Sequence, residues 1–350
     1  MFRPTGSGVA LDPRIVIMPL LASSERILAL HHSFLLDRSV ASDSFVLGFV
    51  DDPIAAIAEL GADVIIRVRP SGEELPPLSD DEAFGPSDSS DSTLLTPDGS
   101  QEGELRLDGT EGVRRASARL RNGSRKKLEL VDVPDSATFR IVRRTDGESI
   151  WQFVPHVRRI GQSKAVAFVK DLKLLPAWAK STEKGDARRL LDVLRSDPSE
   201  VQRLYQKAFG HNSINATSLS VYAGPADGRI VEVKLRGTPK AHINWAAGGW
   251  LAAGDAELQS EDARSEFLRR YREFKGSIGV FGAPHHGSRE NWHSDLLSEL
   301  EPEVVVVGVG RKGWALPSEQ LLLDCAEQGV RLHRAMYSPD SSLHECMRVH

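Results

Sequence analysis

The chain has 350 residues, of which 40% are hydrophobic and 27% charged, with a formal net charge of −5. This is ordinary globular composition with enough chain for a sizeable core, and it carries no whole-protein basic footprint for nucleic acid. Two cysteines, Cys325 and Cys346, give neither a CxxC pattern nor a disulfide framework. The first eight residues contain no apolar core of a signal peptide, and apolar runs such as Val304-Val305-Val306-Val307 are strand-sized. A soluble cytoplasmic protein is the expectation, with no membrane partner.

The opening reads as α/β. Residues 14–21 have the pattern of a buried strand and residues 23–36 a helical spacing. Residues 44–50 read as a second strand. Asp52-Pro53 starts a helix running to Leu60, with proline near its first position, and residues 62–68 read as a third strand.

From residue 70 the texture changes. Pro, Ser, Gly, Asp and Glu dominate residues 70–112, as in Ser87-Asp88-Ser89-Ser90-Asp91-Ser92. Such a segment buries too little apolar surface to order itself, so residues 70–135 are expected to form a polar, disordered insertion. A basic stretch follows, with Arg114, Arg115, Arg119, Arg121, Arg125, Lys126 and Lys127. It suits a nucleic-acid, phosphate or protein contact, but reads first as a solvated face or as neutralising the acidic loop before it.

Strand texture resumes over residues 137–155, and residues 163–209 read as helices, clearest at 186–194 and 199–209. Strands are expected at 218–224, 228–235, 244–246 and 249–255. The last third alternates: helix 262–274, strand 277–283, helix 295–300, strand 304–309, helix 317–328 and a short strand 331–334.

Three ordered motifs stand in this last part: Ala253-Gly254-Asp255-Ala256-Glu257, Pro284-His285-His286-Gly287-Ser288 and Glu301-Pro302-Glu303-Val304-Val305-Val306-Val307-Gly308. Imidazole is a common metal ligand, and a loop at a strand's end can hold one steadily over a cleft. Together with Asn212 to Leu219, these motifs make residues 206–340 similar to the C-terminal half of metallo-β-lactamase-fold proteins, in the branch containing the ComEC hydrolase domain. The resemblance implies a single domain over residues 1–350, an αββα sandwich of two mixed sheets between helices. It also implies a metal-dependent hydrolase acting on a phosphodiester, either nucleic acid or nucleotide, with Zn²⁺ or Mn²⁺. Asp255 would take the bridging carboxylate's place, and His285 or His286 that of an imidazole ligand. His211 stands near a further ligand position.

The family's main ligand cluster, His-x-His-x-Asp-His, has no counterpart here. Before residue 156 the histidines are His31 and His32, in a helical setting. Either the fold persists with most ligands lost, or the sequence begins inside a longer domain; the resemblance of residues 14–69 to material following the cluster speaks for the second. A catalytically inactive scaffold or interaction subunit is the alternative to the hydrolase. Of the remaining candidates, His242 and His293 read as surface or supporting residues, and Glu257 as support for a metal or an exposed helix start. Trp151, Trp245 and Trp250 read as sheet packing, and Ser288 as a loop residue.

Overall fold

The computed structural model describes residues 13–21, 24–27, 30–31, 43–70, 93–95, 103–108, 113–119, 127–158, 162–183, 185–209, 218–226, 231–236, 244–245, 248–308, 316–335 and 344–349. The protein is mixed α/β. It divides into two compact units, each built from separated stretches of chain: residues 1–88, 112–133 and 159–214, and residues 89–111, 134–158 and 215–350.

The first unit holds a four-stranded sheet. Strand β1 (Ile15–Pro19) lies parallel to β2 (Val64–Arg69), and the sheet continues through β6 (Lys127–Pro134) to β5 (Arg114–Arg119). Every residue of β2 is buried. Its Arg67 is therefore matched: Arg67 Nε donates to Asp132 Oδ1 at 2.6 Å, and Arg114 from β5 reaches Asp132 Oδ2 at 2.8 Å. Arg115 pairs with Glu129 at 3.4 Å. These two arginines of the basic stretch thus neutralise acids on the neighbouring strand. Arg121, Arg125 and Lys126 lie outside the described residues, as do the side chains of Arg119 and Lys127.

The expected strand at 44–50 is a helix, α1 (Ser44–Asp51). A short apolar run does not separate the two states by its hydrophobicity alone. The cap decides it: the Asp43 carboxylate accepts from the N–H groups of Phe45 and Val46, and Val46 and Val50 are buried four residues apart on one face. Helix α2 (Pro53–Glu59) starts as expected, with Asp52 as cap and proline in the first turn. Helices α3 (Gln162–Lys173), α4 (Pro176–Lys180), α5 (Asp186–Ser196) and α6 (Pro198–Phe209) also belong to this unit. The His31 ring is fully buried against Phe168 and Tyr205, with centroids 5.8 and 5.3 Å away, and is a core residue. His32 lies outside the described residues.

The second unit holds a nine-stranded sheet. Its antiparallel half runs β3 (Thr93–Leu95), β4 (Gly103–Asp108), β7 (Thr138–Arg143), β8 (Ser149–Val157) and β9 (Leu219–Pro225). The first two strands correct the expectation of a disordered insertion over residues 70–135, as do β5 and β6. Gly103-Glu104-Leu105-Arg106-Leu107-Asp108 alternates in a way its polar surroundings mask, and Leu107 is buried. In β6, Leu128, Leu130, Val131 and Val133 are buried. Residues 71–92 lie outside the described residues.

Beyond β9 come β12 (Gly249–Ala252), antiparallel to it, then β13 (Ile278–Gly282), β14 (Val304–Gly308) and β15 (Arg331–Ala335), all parallel. A separate three-stranded sheet contains β10 (Val231–Arg236), β11 (Asn244–Trp245) and the last strand, β16 (His344–Val349). Helices α7 (Glu261–Tyr271), α8 (Asp295–Leu300) and α9 (Glu319–Glu327) supply Phe267, Tyr271, Leu296, Leu297, Leu300 and Leu321. These pack in one cluster with Tyr222, Leu251, Phe281, Val305 and Val307 of the strands. Among the described residues, no helix is long and apolar enough to cross a membrane.

Candidate functional site

Strands β12, β13 and β14 are parallel and in close register, with Ala252 opposite Gly282 and Gly282 opposite Val306. Their C-terminal ends therefore open at one edge of the sheet. Asp255 leaves from the first, His285 and His286 from the second, and Gly308 closes the third. In α/β sheets, ligands bind outside such strand ends, where the flanking loops diverge.

The turn after β12 is pinned at three successive residues. The Ser220 hydroxyl donates to the Ala253 carbonyl at 3.1 Å, and the Gly254 carbonyl accepts from the His285 N–H at 2.9 Å. The Asp255 N–H donates to Ser218 Oγ at 2.7 Å. Gly254 has φ +60, and a Cβ there would stand 2.4 Å from Ser218 Oγ and 2.9 Å from the Leu219 carbonyl. Only glycine fits. The Asp255 side chain is exposed beyond this anchored backbone.

The loop after β13, Pro284–Gly287, is a tight turn with three successive residues in left-handed conformation: His285 (φ 43), His286 (φ 56) and Gly287 (φ 76). Glycine takes this geometry freely, whereas the two histidines are strained by about 1–2 kcal/mol each. Strain of this kind persists where the surroundings overdetermine it and is concentrated at functional sites. Here the Ser288 N–H donates to the His285 carbonyl at 3.1 Å, and the Ser318 N–H to the Gly287 carbonyl at 2.9 Å. Gly287 has no room for a side chain, since a Cβ would meet Leu321 at 2.8 Å and Pro317 at 3.1 Å.

His286 is exposed, and its Nδ1 lies over Gly308, where a Cβ would stand 3.2 Å away. His285 is half-buried, with its ring centroid 6.1 Å from that of His286. Its Nδ1 is 3.2 Å from Asn291 Oδ1. Asn291 is the residue that sequence reasoning missed. It is buried at 2% exposure, and its Nδ2 donates to the carbonyls of Asp255 at 3.3 Å and Ala256 at 3.1 Å. One amide thus joins the aspartate turn to the histidine loop. Ser218 was missed likewise. An asparagine six residues after His285 carries no signal until the loop's path is known.

His293 is half-buried, and its Nδ1 accepts from the Asp295 N–H at 3.2 Å, at the start of α8. Glu257 is half-buried; Trp151 and Trp250 are half-buried on β8 and β12. His211, His242 and the Trp245 side chain lie outside the described residues.

Imidazole and carboxylate are the right donor types for Zn²⁺ or Mn²⁺. Yet among the described residues no group of three or more His, Cys, Asp or Glu side chains gathers to hold an ion. A catalytic zinc takes three protein ligands plus water, so the described donors do not amount to a metal centre. Comparison with family models, with curated proteins and with solved structures finds no match to this chain.

Proposed function

We propose that the protein is a metallo-β-lactamase-type αββα hydrolase of the ComEC-like branch, acting on phosphodiesters of nucleic acid or nucleotide. Its site is the edge where Asp255, His285 and His286 emerge. The observation that carries this reading is the strained His285-His286 pair, locked to the Gly254-Asp255 turn by a backbone hydrogen bond and by Asn291. A fold that needed only a tight turn would use glycine or asparagine here. Two histidines at this cost speak for selection on the imidazoles.

A carboxylate such as Asp255 repels an anionic diester unless a cation lies between them. The reading therefore requires Zn²⁺ or Mn²⁺, with a ligand beyond the described set; His211 is the candidate that the sequence offers. Because the described donors fall short, no catalytic step is written through a metal. The chain's own contribution is to hold the exposed Asp255 and His286 side chains on backbone fixed by Ser218, Asn291 and Ser318.

Asp255→Ala and His286→Ala replace exposed side chains and leave the pinned backbone in place. Each is expected to lower phosphodiester hydrolysis, assayed with added Mn²⁺ or Zn²⁺, by more than about 100-fold with an unchanged circular dichroism spectrum. Full activity in both variants would sink the proposal. The second reading, a catalytically silent scaffold, is motivated by the shortfall of donors among the described residues. It predicts protein purified without Zn²⁺ or Mn²⁺ and no thermal shift on adding either ion, whereas the hydrolase predicts a rise in Tm.

A further inference from the structure

We infer that Arg289 is a specificity-determining residue, whose guanidinium grips two non-bridging oxygens of a substrate phosphate beside His286 and Asp255. The inference rests on the reading of this edge as a phosphodiester site, and it supplies from the chain itself a cation to face the diester. The turn that carries the two histidines runs directly into a second turn. There the Asn291 N–H donates to the Ser288 carbonyl at 3.0 Å, and the Glu290 N–H to Ser288 Oγ at 3.4 Å. Arg289 and Glu290 are the two corner residues of this turn, and both are exposed. Its two ends are tied to the site. The Ser288 N–H donates to the His285 carbonyl at 3.1 Å, and the Asn291 amide donates to the carbonyls of Asp255 and Ala256 at 3.3 and 3.1 Å. The backbone that carries Arg289 is thereby fixed relative to that of Asp255 and His286. His286 and Arg289 are three residues apart in sequence, so their Cα atoms lie within about 11 Å of each other. A long arginine side chain and a phosphate group can bridge that span.

Among the described residues, no hydrogen bond or ion pair engages the Arg289 side chain. Two arginines of α7 differ in this respect. Arg264 pairs with Asp295 at 3.1 Å, and Arg270 donates to the carbonyls of Pro155 at 3.4 Å and Ala137 at 3.1 Å. Those two hold elements together, whereas Arg289 presents its donors to solvent at the lip of the site. A guanidinium is a planar fork whose paired N–H groups match two oxygens of a phosphate. A neutral ester or amide offers no such anion, so this contact selects phosphate esters. It also offsets the repulsion between the Asp255 carboxylate and the diester. Glu290 carries the opposite charge at the same turn and does not pair with Arg289.

The test is fluorescence anisotropy of a labelled single-stranded DNA oligonucleotide titrated with the full-length protein, without added metal. Arg289→Ala is expected to weaken binding about tenfold. It should also lower the slope of log affinity against log salt by about 0.7, the value of one phosphate contact on a single strand. Arg289→Lys keeps the charge without the fork and should recover only part of the loss. Asp255→Ala removes the neighbouring carboxylate and should tighten binding, the opposite sign from Arg289→Ala. A mononucleotide competitor tells whether the phosphate comes from a nucleotide or from a strand; either source supports the contact when Arg289→Ala weakens its binding. Should alanine disturb the turn, seen as a changed circular dichroism spectrum, Arg289→Gln repeats the measurement. Wild-type affinity and salt slope in the folded variant, full recovery with lysine, or no binding by the wild type would overturn the inference. Binding that depends on Arg289 in a protein that hydrolyses no phosphodiester supports the contact and removes the hydrolase. Hydrolysis with KM unchanged in Arg289→Ala does the reverse.

Discussion

His286 is exposed and left-handed, so its backbone carries strain. Glycine at this position would relieve that strain. His286→Gly is expected to raise unfolding stability by about 1 kcal/mol, after the entropy that glycine gains in the unfolded chain is subtracted. The same change should abolish hydrolysis. A stability gain coupled to loss of function marks a residue kept for chemistry rather than for folding; a stability loss would mean that the ring is structural. Gly254 sits on the other side of the balance. Its φ of +60 and the 2.4 Å approach of Ser218 Oγ leave no space for a methyl group. Gly254→Ala should lower the urea midpoint by the equivalent of about 1–3 kcal/mol, and an unchanged midpoint would show that the turn is looser than described.

At the scale of elements, each unit buries a hydrogen-bonded carboxylate. The sheet of the first unit buries charge: Asp132, 1% exposed, is shared by Arg67 of β2 and Arg114 of β5. Breaking a buried pair leaves an uncompensated charge, which costs about 3–5 kcal/mol, although replacing the whole group by apolar residues need not. Asp132→Ala is therefore expected to be among the most destabilising single changes in this unit, measured by chemical denaturation. A cost below about 1 kcal/mol, the range of exposed pairs, would place Asp132 in solvent. In the second unit the same question falls on Asp324, which receives the Trp292 and Gln320 donors. Trp292→Phe keeps most of the ring's apolar contact but removes one donor, at an expected cost of about 1–3 kcal/mol.

For the molecule as a whole, alkali should lower stability. Burial pushes the hydroxyls of Tyr222 and Tyr271 well above the ordinary tyrosine value of 10.0, and it pushes the Cys325 thiol from 9.0 up to about 11. All three groups are neutral when protonated, and the unfolded chain loses their protons first. Their contribution to stability is thus complete below about pH 9 and declines as pH rises through the folded values. The urea midpoint should fall between pH 8.5 and 10.5, and Cys325 should resist thiol reagents at pH 8 until the protein unfolds; a flat midpoint would contradict the burial. Much of this architecture was legible in sequence. The alternation after residue 260 placed α7, β13, α8, β14, α9 and β15, because each element is bounded by turn residues and has its own period. The helix α1 was not, because its short apolar run fits either state and the deciding contact is one capping carboxylate, Asp43. Strands β3 to β6 were hidden because their polar flanks dominate the composition while pairing is long-range. In the site, the motifs around Asp255 and His285-His286 were visible as residue types, but Asn291 and Ser218 act through geometry that only folding creates.

The central claim is that Asp255 and His286 act in one site. The most direct measurement is kcat/KM for phosphodiester hydrolysis in wild type, Asp255→Ala, His286→Ala and the double variant, under one metal condition. Residues of a single catalytic unit are not additive, so the double variant should lose about as much activity as the worse single variant. Losses that multiply, or variants as active as wild type, would contradict a shared site.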